Sequence, residues 1–77
     1  MSLSRHLIND THVHRFAVTS DVRGWEVYEE EDSMVLRHVH RDDWHRVERD
    51  IRLFELTALT LKRHGWVERA AHASLMR

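Results

Sequence analysis

The chain carries eight histidines, and four of them stand as two His-x-His pairs, His12/His14 and His38/His40. Side chains two apart on a strand point the same way, so each pair offers two imidazoles to one side of a sheet. That is metal-ligand chemistry. Around the second pair, the run from His38 to His45 is dense in nitrogen and oxygen donors, and Glu48 follows His45 by about one helical turn. Three imidazoles and a carboxylate make a plausible zinc shell. If a middle strand separates the two pairs, they lie two strand spacings apart, about 9.5 Å, which one ion does not bridge. The metal candidate is therefore the local set His38, His40 and His45. Histidines spread over strand faces and helix ends account for the same pattern without an ion, and no cofactor is expected.

Two of these strings are similar to fragments of metalloenzyme motifs. Asp10-Thr11-His12-Val13-His14 resembles the Asp-x-His-x-His motif of amidohydrolases, and His38-x-His40-x-Asp42-Asp43 resembles the metallo-β-lactamase ligand motif with Asp in place of its final His. Those families are built on barrels or sandwiches of well over 77 residues, with further ligands from distant segments. The resemblance stops at the short strings. Other catalytic signatures are missing as well. There is no cysteine nucleophile, and two glycines leave no room for a phosphate-cradling loop. The serines sit in termini or predicted turns, without a Gly-x-Ser-x-Gly setting. Glu30-Glu31-Asp32-Ser33 reads as a solvated hairpin tip, where water screens any carboxylate. The expectation is a protein that is not an enzyme.

Any such groups need a scaffold, and the composition limits which. Hydrophobic content of 42% with 32% charged residues describes a chain that folds. A chain of 77 residues makes one domain, spanning 1–77. A domain this small buries only about 60% of its unfolded surface, so it usually gains support from disulfides, a metal or a partner subunit. With no cysteine, the last two remain. The formal net charge of −1 gives no global pull toward nucleic acid or an anionic membrane. No apolar run approaches a membrane span of about 20 residues. A cytoplasmic protein with no membrane partner is the expectation.

Alternation of period two predicts strands near His12–Thr19, Gly24–Glu29 and Met34–His40, joined by turns at Ser20–Gly24 and Glu30–Ser33. Phe16, Val18, Trp25 and Val27 share one face. At Arg41-Asp42-Asp43 the period changes to about 3.6, and Trp44, Val47, Ile51, Phe54, Ala58 and Leu61 draw one stripe along a helix near Asp43–His64. Gly65 ends it. The predicted fold is α+β: a three-stranded antiparallel β-meander followed by one long C-terminal helix packed on the sheet. Residues 1–10 read as an arm and 68–77 as a tail, both poorly ordered. Phe16, Val18, Trp25, Val27, Val47, Ile51, Phe54, Ala58 and Leu61 form the expected core.

The helix has a second apolar side. Leu53, Leu56, Leu59 and Thr60 fall away from the core stripe, and one sheet covers only one side of a helix. The arm, the tail or another chain must cover the rest. The expectation is a non-enzymatic interaction module that associates with itself, as a dimer, through Leu53, Leu56, Leu59 and Thr60; an unidentified protein partner is a further possibility. The alternative is a nucleic-acid-binding regulatory domain presenting Arg15, Tyr28 and Arg37 on the outward sheet face, where Glu26 and Glu30 repel phosphates. Arg46/Asp50 and Glu48/Arg52 are spaced to pair along the helix. Histidine-based metal binding is the second alternative.

Overall fold

A computed structural model describes residues 2–70. Strands β1 (Ser2–Asn9), β2 (His12–Asp21), β3 (Gly24–Glu31) and β4 (Met34–Arg41) form an antiparallel meander. Helix α1 (Trp44–Arg63) follows, and β5 (Val67–Ala70) returns to pair with β1. The sheet order is β4-β3-β2-β1-β5. The fold is thus α+β with an antiparallel sheet and one helix, but the sheet has five strands where the sequence analysis expected three. The supposed N-terminal arm is β1. The supposed tail begins as β5, and positions 71–77 lie outside the described residues.

The two added strands explain the length of the helix. At about 1.5 Å per residue its 20 residues span roughly 30 Å. From β4 at one edge to β5 at the other is four strand spacings, about 19 Å. The helix packs on one face of this sheet, its Val47, Phe54 and Ala58 buried against it. Asp43 caps its start, accepting from His45 N–H at 2.9 Å, and Lys62 and Arg63 occupy its last turn. No helix of the described residues is long and apolar enough to cross a membrane.

Leu7, Phe16, Val18, Val27, Val47, Phe54 and Ala58 are buried between helix and sheet, and Leu3, Trp25, Val39, Ile51, Leu61 and Trp66 pack around them. Phe16 and Phe54 stack with ring centroids 4.4 Å apart. Every residue of the expected core is in this set, with Trp25, Ile51 and Leu61 at its margin. The turns follow local chemistry. Asp32 and Ser33 both take positive φ. Gly24, at φ 141°, is irreplaceable for a second reason: an added Cβ would lie 2.3 Å from the Arg41 carbonyl oxygen.

Candidate functional site

The face of the sheet away from the helix is uncovered, and its polar groups are organised in two clusters. Register pairs Glu26 with His40 and Tyr28 with His38, across β3 and β4. The Glu26 carboxylate is shared: Oε2 meets His40 Nδ1 at 2.7 Å and Oε1 meets His38 Nε2 at 3.1 Å. His40 Nε2 lies 3.2 Å from the Arg23 carbonyl. The bond to Glu26 foremost raises the His40 pKa above its ordinary value. Asp21, at the end of β2, brings its carboxylate into the same group, its ligand atoms within 4.8 Å of those of Glu26 and His40. Its Oδ1 accepts the Arg23 N–H at 2.8 Å.

In the second cluster, Glu30 accepts from the Tyr28 hydroxyl and from Arg15 Nη2, the latter at 2.9 Å. Tyr28 first and Arg15 next hold the Glu30 carboxyl below its usual range. At the neighbouring turn, Asp32 accepts the Val13 N–H at 2.9 Å and meets His12 Nδ1 at 2.7 Å. These bonds lower the Asp32 pKa and raise that of His12. The acidic run is therefore not a solvated tip: Glu30 and Glu31 belong to β3, and Asp32 staples the turn to β2.

The helix side holds charges as well as apolar groups. His14 is 3% exposed, with Nε2 at 2.6 Å from Glu29 and Nδ1 at 2.9 Å from Glu31. Its ring stacks on Phe54 and meets Trp66 edge-on. Asp50, also 3% exposed, accepts from Arg37 Nη1 at 2.8 Å and from Arg41 Nε at 2.9 Å. Arg5 bonds Glu68 and Glu55, and Lys62 bonds Glu68. Arg5 foremost, with Lys62 behind it, lowers the Glu68 carboxyl to about 2.

No protein-family model, curated protein or solved structure matches the chain. The site must be read from its geometry alone.

Several sequence expectations change. His38 and His40 do share a face, but His45 sits in the first helical turn, 90% exposed at its side chain and beside Glu48. Among the described residues the three-ligand grouping is Asp21, Glu26 and His40, without His45. Strand alternation does not let a helix-start residue follow the strand face. Arg37 is not on the outward face with Arg15 and Tyr28; it points to the helix and Asp50. A register shift between Glu29 and Glu30 in the β3–β4 pairing leaves Val35 and Leu36 half-exposed. Arg46 does not pair with Asp50, whose carboxylate turns to the sheet, and Arg46, Arg49, Arg52 and Arg63 form no ion pair among the described residues. Leu53, Leu56 and Leu59 stand 47%, 62% and 55% exposed, and Thr60 is exposed beside them.

His14, Glu29 and Glu31 form a unit that is absent from the sequence-based expectations. A signal was present: His14 has the same parity as Phe16, and Glu29 the same as Val27, so both had to face the helix.

Proposed function

We propose that the protein is a non-enzymatic interaction module that pairs with a second copy of itself through the outer face of α1. The observation that carries this reading is the exposure of Leu53, Leu56 and Leu59 on a helix whose other side is sealed against the sheet. The N-terminal segment is used in β1 and is not available to cover them.

Rim charges support a second copy. At about 100° per residue, Glu48 lies roughly 80° to one side of Leu56 and Arg46 roughly 80° to the other. A two-fold axis running along the helices sets the acidic flank of one copy against the basic flank of its partner. Arg49 and Arg63, one at each end of the leucine patch, oppose their own counterparts.

The leucines are already half-covered, so completing their burial contributes about 1 kcal/mol each, or roughly 6 kcal/mol for two chains. Association itself costs several kcal/mol. The leucines alone therefore leave a weak dimer, and association at tens of micromolar, about 6 kcal/mol net, requires the surrounding helix surface to be buried with them. Sedimentation across that range is expected to show a shift from 9.3 kDa toward twice that mass. Leu56→Glu should abolish the shift by placing a charge in the centre of the apolar patch. An unmutated protein that stays at the monomer mass at hundreds of micromolar refutes the reading.

A further inference from the structure

We infer that Glu26, His38, His40 and Asp21 form a binding site for one divalent transition-metal ion of the zinc, nickel or copper class, on the uncovered face at the β4 edge. Two observations carry this beyond a chance meeting of polar groups. First, the Glu26 carboxylate already lies between two imidazoles, at 2.7 Å from His40 and 3.1 Å from His38. Zinc–ligand bonds of about 2.1 Å set tetrahedral ligands about 3.4 Å apart. Asp21, Glu26 and His40 already hold one ligand atom each within 4.8 Å of one another, and His38 reaches the same Glu26 carboxylate, so side-chain rotation at the exposed surface is what must bring the four onto one ion. Second, strand register fixes the backbone under three of them: Glu26 sits opposite His40, and His38 shares its face two residues away. Asp21, held by the Arg23 N–H, supplies the fourth ligand from the β2–β3 hairpin.

The donor set decides the ion. Two imidazole nitrogens and two carboxylate oxygens suit zinc, nickel and copper, whereas magnesium and calcium demand oxygen shells. Imidazole ligates through a deprotonated nitrogen, so binding weakens as pH falls. Mechanically the bound ion ties the β2–β3 hairpin to the edge strand. The core does not include these residues, so the metal-free protein remains folded.

The test is calorimetric titration of the chelator-stripped protein with zinc, with magnesium as the control. Expected are one zinc per chain, no magnesium binding, and a melting temperature several degrees higher at saturation. His40→Ala and Glu26→Gln should each weaken zinc binding by tenfold or more, while His45→Ala and His12→Ala leave it unchanged. Histidine ring signals in the NMR spectrum of the unmutated protein supply a readout that does not depend on any variant folding: those of His38 and His40 should move on zinc addition. Absence of binding below millimolar zinc overturns the proposal. So does affinity unaffected by His40→Ala, affinity lost in His45→Ala, unmoved His38 and His40 signals, or half an ion per chain, which would place the ion between copies.

Discussion

At the scale of single residues, the helix-facing side of the sheet is held as much by charge as by oil. Asp50 is the clearest case. It is the one carboxylate on α1 that is sealed from solvent, and Arg37 and Arg41 of β4 both donate to it. A buried ion pair adds little over well-packed apolar residues, but removing one partner strands the other charge. Asp50→Asn is therefore expected to destabilise the protein by about 3 kcal/mol in chemical denaturation, through loss of the anchor between helix and edge strand. Surface substitutions at Arg49 or Arg52 should cost under about 0.5 kcal/mol. Equal effects at the two kinds of position would remove Asp50 from this role. His14 between Glu29 and Glu31 shows how such residues hide from a reading of the sequence. Its inward parity was visible, but its two carboxylate partners come from another strand, and no local pattern announces a buried polar group that is satisfied.

At the scale of elements, three of the five strands and the helix could be read from periodicity to within a residue or two. The two that could not are β1 and β5, and they failed for one shared reason. Leu3 and Leu7 of β1 alternate properly, yet Arg5 stands between them in an inward position. In β5, Glu68 likewise faces the helix side. Each strand looks too polar alone, and each supplies the opposite charge that the other needs. Glu68→Gln tests this dependence. It removes the charge that Arg5 and Lys62 share, and is expected to cost about 1–2 kcal/mol while loosening β5 specifically. Amide exchange should quicken along β5 and the facing half of β1, with β3 unaffected. Uniform quickening over the whole sheet would contradict it. The candidate site was half legible: His38 and His40 were in view, while Glu26 and Asp21 join them only through strand pairing.

At the scale of the whole molecule, the ion pairs set an asymmetric response to pH. Glu30, Asp32 and Glu68 have folded pKa values below their ordinary ones, Glu68 at about 2. Their contribution is complete above about pH 5 and drains away as pH falls through the carboxylate range toward 2. His12 is shifted the other way, above 6.5. Its contribution is complete below that value and is lost as pH rises through the folded pKa, and its exposure to solvent keeps it small. Melting temperature should accordingly peak between about pH 5 and 6.5, with a steep acid limb and a shallow alkaline one. A melting temperature constant from pH 5 to 2.5 would contradict the pairing of these carboxylates.

The place of β5 in the sheet has a consequence for how the protein is made. Synthesis runs from β1 onward, and β1 has its second neighbour only when Val67–Ala70, beyond the whole of α1, is available. A growing chain can zip β1 to β4 in order, hairpin by hairpin, because each contact is local. Throughout that interval the free edge of β1 is bare and Arg5 lacks Glu68. β5 is made after the strand it pairs with and after the whole of α1, so until Val67–Ala70 is available the sheet stands with an unfinished seam at β1, open to edge-to-edge pairing.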